Sequence, residues 1–315
     1  SSSLNKETRN GGFDITYYLA KNETVYLKVA LRDVYYYAGR KFDFVIGKKK
    51  DLIAKNGCIY ESRFDRYFVV DNYINKYQSL TIENKINNLP VAGVDHDAIR
   101  KFKKNTSVNI PSECKTLQTY CFDGCYNLKS VKLVEELKYY AFQGTQIETI
   151  YLPKSIESPD ALEAMLNLKT ITVAKDNPYY TAVNGVLFTK DKKKLVRYPA
   201  RGPRTYTIPN GVETVCDSAF KDSYVEKVYF PNTVKNMIGD VFHYCERLKY
   251  VKLNEGITSI GSSAFQGCES LSYINIPSTV KDIGLCAIND AGIRSIEIPE
   301  NVFKIDGYSI YNCKY

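Results

Sequence analysis

A phrase of about twenty-three residues recurs through the C-terminal two-thirds of the chain. Its plainest form is I-P-x-x-V-x-x-I-x-x-x-A-F-x-x-C-x-x-L-x-x-I, and clear copies occupy residues 110–131, 230–251 and 253–274. A fixed period of this length is typical of a solenoid, in which each coil buries its apolar face only against its two neighbours. We therefore predict a solenoid. The same pattern disfavours an enzyme, because no position outside the repeat is arranged for chemistry.

The pattern inside each unit predicts its local structure. Residues 248–253 alternate apolar and polar side chains as a strand does, and a proline such as Pro277 then ends the strand because it cannot donate to a ladder. A second apolar pair and an Ala-Phe pair follow, and we predict a second extended piece and a short helical turn. Strands of successive coils should form a parallel sheet. The units begin at Ile110, Leu133, Leu152, Ile208, Phe230, Leu253, Ile276 and Ile298.

Two regions depart from the period. Residues 177–200 contain two short apolar runs around the charged run 190–194, which predicts a β-hairpin inserted in the solenoid. Residues 1–79 contain strand-like alternation but no repeat, and solenoids need covered end coils. We predict a β-rich N-terminal cap over 1–79 and a repeat domain over 80–315.

The nine cysteines follow the repeat rather than a metal or disulfide pattern. Four of them stand fifteen residues after the start of their units: Cys125, Cys245, Cys268 and Cys313. A residue in fixed phase faces the same place in every coil, so these thiols are predicted to pack in the core, although Cys245 and Cys268 could also bridge or form a ladder of thiols. The C-x-x-x-C of Cys121 and Cys125 matches no zinc spacing. We predict neither a metal nor a cofactor.

Other candidate chemistry is sparse. The chain has no G-x-S-x-G, Walker A, G-x-G-x-x-G or H-E-x-x-H motif, and His243 is expected to be solvated. The net charge of +8 comes from 43 basic and 35 acidic residues, with the densest lysine runs at 48–50 and 192–194 in predicted turns. That distribution disfavours nucleic acid as a partner but could favour glycans or acidic surfaces. No apolar run approaches the roughly 20 residues of a membrane-spanning helix.

The predicted sheet exposes two columns of side chains. The first, one residue before each unit start, contains Lys132, Tyr151, Thr172, Tyr229, Lys252, Asn275 and Glu297; the second, two residues earlier, contains Ser130, Thr149, Thr170, Lys227, Tyr250, Tyr273 and Ser295. Tyr229, Tyr250, Lys252 and Tyr273 should then form an aromatic and basic patch of the kind favoured at protein interfaces. With Tyr151 they are the candidate ligand-binding residues. The alternative is ordinary cross-strand pairing on a soluble sheet surface.

The segment 253–277, LNEGITSIGSSAFQGCESLSYINIP, resembles the BspA-like or treponemal-type leucine-rich repeat nearly position for position. Residues 177–200 resemble an insertion common in that family, and the resemblance covers about 80–315. Two departures are clear: the units starting at Leu133 and Leu152 lack the cysteine, and the second has Met165 where phenylalanine is expected. The resemblance implies secreted or surface-anchored proteins of host-associated bacteria and some protozoan parasites, characterised members of which act as adhesins. It implies no catalytic residues.

These observations favour a non-catalytic binding module that engages a protein or glycan partner, such as host extracellular matrix, through the exposed strand face. We expect a monomer at the cell surface or outside the cell, with a signal or lipid anchor removed from this chain. The rival hypothesis is a structural spacer or a component of a surface assembly without a ligand of its own.

Overall fold

The computed structural model describes residues 5–9, 12–16, 52–72, 79–99, 106–131, 136–137 and 140–313. These residues form a β-solenoid of about nine turns built on parallel sheets, as the repeat predicts. Across the described ranges the one helical element is a 3-10 helix at Asp160–Leu162. The lysine run 48–50 lies outside them.

The strands are short, and most contain two to four residues. In the N-terminal part they are β1 (Asn5–Arg9), β2 (Gly12–Thr16), β3 (Leu52–Lys55), β4 (Cys58–Arg63), β5 (Arg66–Asn72), β6 (Ser79–Thr81), β7 (Lys85–Ile86), β8 (Leu89–Val94), β9 (Ser107–Asn109), β10 (Thr116–Leu117), β11 (Ser130–Val131), β12 (Glu136–Leu137), β13 (Thr149–Leu152) and β14 (Thr170–Val173). The remainder are β15 (Tyr180–Val183), β16 (Val186–Thr189), β17 (Lys194–Arg197), β18 (Thr205–Thr207), β19 (Thr214–Val215), β20 (Lys227–Tyr229), β21 (Asn236–Met237), β22 (Tyr250–Lys252), β23 (Ser259–Ile260), β24 (Tyr273–Ile274), β25 (Asp282–Ile283) and β26 (Lys304–Ile305).

One side of the solenoid, which we call the strand face, is formed by the first strand of each coil. The strand orders are β6-β9-β11, β13-β14 and β18-β20-β22-β24, all parallel. The middle residues of β20 and β22, Val228 and Val251, are fully buried, and their neighbours point outward. This alternation is the period-two pattern seen in the sequence.

The second face is formed by the two-residue strands that follow, such as β19-β21 and β23-β25-β26. Successive coils approach here through backbone. A Cβ on Gly261 would lie 2.6 Å from the Gly239 nitrogen, and one on Gly284 would lie 2.7 Å from the Ser262 nitrogen. The Ile-Gly pair of the repeat is therefore required by this close approach, since neither glycine has a positive φ.

The third side, which we call the turn face, contains a tight non-helical turn where a short helical turn was predicted. The Ala264–Phe265 pair lies in a turn with a left-handed residue on each side, Ser263 at φ 51° and Gly267 at φ 72°. The Phe265 amide donates to the Ala287 carbonyl of the next coil at 2.7 Å. The buried ring stacks on Phe242, with centroids 5.3 Å apart. The turn thus combines inter-coil hydrogen bonds with bonds of its own, such as that from the Cys268 amide to the Phe265 carbonyl at 3.2 Å, and does not continue as a helix.

Three of the four in-phase cysteines lie in the core, as predicted. The thiols of Cys125, Cys245 and Cys268 are buried and donate to a carbonyl of the preceding coil at 2.9, 3.0 and 3.1 Å. Burial raises the pKa of the Cys245 thiol to about 12. Cys313 is only partly buried. None of the nine cysteines, all within the described ranges, forms a disulfide bond.

Within the predicted insertion, the chain forms antiparallel strands β15-β16-β17, where two strands were expected. Lys192 lies in the turn between β16 and β17, as predicted. Buried side chains of β16 point to both halves of the core: Leu187 packs with the N-terminal half, and Val186 and Phe188 with the C-terminal half. The insertion thus joins the two halves, and β17 pairs in parallel with β19 of the next coil.

Upstream of the repeats, β3, β4 and β5 form an antiparallel sheet, and β5 pairs in parallel with β8. Strands β3, β4 and β5 therefore belong to the same sheet as the first coils, whereas β1 and β2 form a separate pair. The division at residues 79 and 80 stays a prediction.

Candidate functional site

Four of the five candidate residues come together on the strand face. Strand pairing places Tyr229 beside Lys252, and Tyr250 beside Tyr273. These side chains point outward because the residues between them fill the core. The ordered columns expected from the sequence are present along β20, β22 and β24, and we call these four residues the strand-face patch.

The patch combines rigid rings with an exposed cation. The Tyr229 and Tyr250 rings lie 5.7 Å apart at 51° and are each half-buried, which restricts their rotamers before any partner arrives. Tyr273 is 55% exposed. Lys252 is exposed, and its ammonium group forms no ion pair with any residue in the described part of the chain. The patch thus offers apolar area, hydroxyls and one positive charge.

Charges along one edge of the patch are neutralised internally. Glu226 forms ion pairs with Lys249, at 2.8 Å, and with Arg204. Hydrogen bonds from these two cations lower the pKa of Glu226 to about 2, and the bond from Lys249 contributes most. Lys227 on β20 is exposed and forms no ion pair with the described residues, so it adds to the charge of Lys252. The strand face here is net positive.

Tyr151 does not join the patch. It is 57% exposed on β13, where it pairs with Thr172 of β14 in a separate two-stranded sheet. Strand pairing does not connect that sheet to β18-β20-β22-β24. Its exposure agrees with the sequence pattern, and its separation follows from the insertion between β14 and β18.

Two residues outside the strand-face patch were not foreseen. His243 was expected to be solvated, but its side chain is only 16% exposed. Its Nδ1 lies 3.3 Å from an Asp240 carboxylate oxygen without forming a hydrogen bond. Arg197 is buried and donates to the carbonyls of Ser218, Glu163 (3.0 Å) and Lys221 (3.4 Å). Burial lowers the pKa of its guanidinium. Arg197 therefore links the coils before and after the insertion by hydrogen bonds, and no sequence motif predicts this link.

A sequence model of the BspA type leucine rich repeat region matches this chain in six copies, over residues 72–179 and 203–315. The chain belongs to the BspA-type leucine-rich repeat family. The gap between the matched ranges contains all three inserted strands, β15, β16 and β17. Membership agrees with the resemblance of the segment 253–277 and places the strand-face patch inside a family of binding-module repeat proteins.

Solved structures with this fold include two bacterial examples. One is a leucine rich cell surface protein from Faecalibacterium prausnitzii, 21% identical, with a TM-score of 0.57 over 83% of this chain and 92% of that one. Another is the pneumococcal vaccine antigen PcpA, 20% identical, with a TM-score of 0.53 over 84% of this chain and 88% of that one. At these identities the likeness establishes the BspA-type fold. Comparison with curated protein sequences gives no match.

The residues that the structure describes contain no helix long and apolar enough to span a membrane. They also contain no group of three or more histidine, cysteine, aspartate or glutamate side chains placed to hold a metal ion.

Proposed function

We propose that this BspA-type solenoid is a non-catalytic binding module that engages a partner protein through the strand-face patch. The observation that carries the proposal is the register of β20, β22 and β24, which brings three tyrosines and a lysine onto one outward surface. Tyrosine is enriched among the residues that dominate protein interfaces because it combines a large ring with a polar tip. Acidic or hydroxyl-rich protein surfaces, including those of host extracellular matrix, complement the patch.

The rigidity of the patch supports this role. Its side chains stand on a hydrogen-bonded parallel ladder, and the Tyr229 and Tyr250 rings already contact each other. Ordering an interface side chain costs about 0.5–1.5 kcal/mol on binding, and prior packing removes part of that cost. The solenoid therefore presents the patch in a form that requires little rearrangement.

We also propose that the protein lies outside the cell or at its surface. In support, a protein with a similar solved structure is described as a cell surface protein.

The test is a comparison of the Tyr229→Ala, Tyr250→Ala double variant with the native protein on a panel of immobilised matrix proteins. We expect native binding and at least a tenfold loss in the double variant, with circular dichroism unchanged. Tyr151→Ala is the matched control, because it removes an exposed tyrosine outside the patch. Equal binding by the double variant and the native protein would refute the role of the strand-face patch in binding. No binding by the native protein to any panel member would favour the spacer role.

A further inference from the structure

A recess opens on the turn face, away from the strand-face patch, where the coils around the insertion meet. Its volume is about 200 Å³, and its lining residues are Leu166, Asp222, Ser223, Tyr224, Tyr244, Glu246 and Arg247. Leu166 belongs to the unit before the insertion, and the others belong to the two units after it. No other junction of the described coils has the insertion beside it, so the recess is a local feature rather than a property of the repeat.

Tyr244 in this recess departs from the repeat in an informative way. The equivalent residue in six other coils is glycine, aspartate or asparagine, and each has a positive φ: Gly124, Gly144, Asp222, Gly267, Asp290 and Asn312. Tyr244 has a φ of 54°, an unfavourable conformation for an aromatic residue. Residues held in such conformations cluster at functional sites. Tyr120, Tyr140 and Tyr308 also have a positive φ, so the conformation alone does not single out Tyr244. What distinguishes it is its place in the recess, at a turn position where other coils have a glycine or a small polar residue.

The Tyr244 ring is fixed as a platform. It stacks on the His243 ring, with centroids 4.2 Å apart and planes 21° from parallel. On the next coil it lies over Gly267, where a Cβ would come within 2.4 Å of the ring. Even so, Tyr244 is 50% exposed. A ring supported from below and open above is suited to stacking against a ligand.

Three charged side chains around the platform, those of Asp222, Glu246 and Arg247, form no hydrogen bond or ion pair with the described residues, although the charges of Lys221 and Arg197 act on Asp222. The Asp222 carboxylate is half-buried and forms no side-chain hydrogen bond or ion pair with any described residue, and burial raises its pKa. The carboxylate of Glu246 likewise has no partner in the described ranges. The Arg247 guanidinium lies over the Tyr224 ring, 4.4 Å from its centroid, without a carboxylate.

We propose that this recess binds one saccharide unit of a glycan. Open acceptors (Asp222, Glu246) and an open donor (Arg247) surround one aromatic platform. A pyranose has hydroxyls that donate to carboxylates and accept from a guanidinium, and its C–H face packs on a ring. A lysine or arginine side chain of a peptide offers only donors and meets Arg247 with a like charge. A simple anion would be repelled by the two carboxylates, those of Asp222 and Glu246. The saccharide is the class that satisfies all these groups together.

The experiment measures binding of single sugars to the native chain by saturation-transfer NMR and titration. The probes are the methyl glycosides of galactose, N-acetylglucosamine and N-acetylneuraminic acid, followed by a glycan array to define the linkage. Tyr244→Gly restores the residue that the turn prefers, so it removes the platform without loss of fold. We expect at least a tenfold weaker affinity in Tyr244→Gly, with a melting temperature equal to or above that of the native protein. Tyr244→Phe keeps the ring and should retain most of the affinity.

Tyr126→Ala is the matched control, because Tyr126 is another exposed turn-face tyrosine, 57% exposed, near Gly144. It should leave sugar binding unchanged. The proposal is overturned if no probe or array glycan binds, if Tyr244→Gly binds as the native chain does, or if only peptides occupy the recess. It does not rest on the strand-face patch, so the Tyr229→Ala, Tyr250→Ala variant should retain sugar binding whatever its effect on protein partners.

Discussion

Substitution of Gly261 by alanine tests whether the repeat glycine is required for close approach of the coils. The added Cβ would lie 2.6 Å from the Gly239 nitrogen, 3.1 Å from the Met237 carbonyl oxygen and 3.2 Å from the Gly239 Cα. All three are backbone atoms, so no side chain can rotate away and the two coils must separate. Forcing a methyl group into a packed interior costs about 1–3 kcal/mol, and a backbone clash falls at the upper end. We expect Gly261→Ala to destabilise the protein by about 3 kcal/mol.

The assay is urea unfolding followed by circular dichroism, with amide exchange of β21 and β23 as a local readout. Gly307→Ala is the matched control: its φ is ordinary and the nearest atom to its new Cβ is Leu285 Cδ1 at 3.8 Å, so stability should change by less than about 0.5 kcal/mol. Gly211→Ala isolates backbone strain, since its φ is +97° and nothing lies within 4 Å. The reasoning is refuted if Gly261→Ala is no less stable than Gly307→Ala.

Two other predictions concern the core thiols and acid stability. Cys268→Ser should be about 1 kcal/mol more stable than Cys268→Ala in urea unfolding. The serine hydroxyl can still donate to the Phe242 carbonyl, which the native thiol contacts at 3.1 Å. The reverse order of stability would mean that the thiol acts only as an apolar group. The depressed pKa of Glu226 contributes stability above its ordinary value of 4.5, and this contribution is lost as the pH falls from there through about 2. Urea midpoints measured across that range should therefore fall less steeply in Glu226→Gln than in the native chain, and parallel profiles would exclude the effect.

The architecture was predictable because every coil repeats the same apolar positions. Those positions fix which residues point inward, so the outward columns containing Tyr229, Tyr250, Lys252 and Tyr273 followed directly from the period. The cysteine phase likewise predicted core thiols. What the pattern left open was the turn: Ala264 and Phe265 are compatible with a helical turn or with the left-handed turn observed, and only contacts between coils decide.

The features on the turn face were hidden for a different reason. The recess forms where the insertion brings together residues more than fifty positions apart, such as Leu166 and Arg247, and no local pattern records that meeting. Burial of His243 also depends on the neighbouring coil. One signal was nevertheless visible: the position two residues after the core phenylalanine is glycine in three units and aspartate in a fourth, and Tyr244 is the one aromatic residue there.

The coil-to-coil bonds have a mechanical consequence. Each coil is bonded only to the coil before it and the coil after it, as in the donation from the Phe265 amide to the Ala287 carbonyl. A pulling force on the two ends therefore passes through every such junction in series, and the weakest junction yields first. Each coil of about 22 residues that opens releases roughly 70–80 Å of extended chain. Under load, such a molecule would lengthen in steps and keep its remaining coils folded.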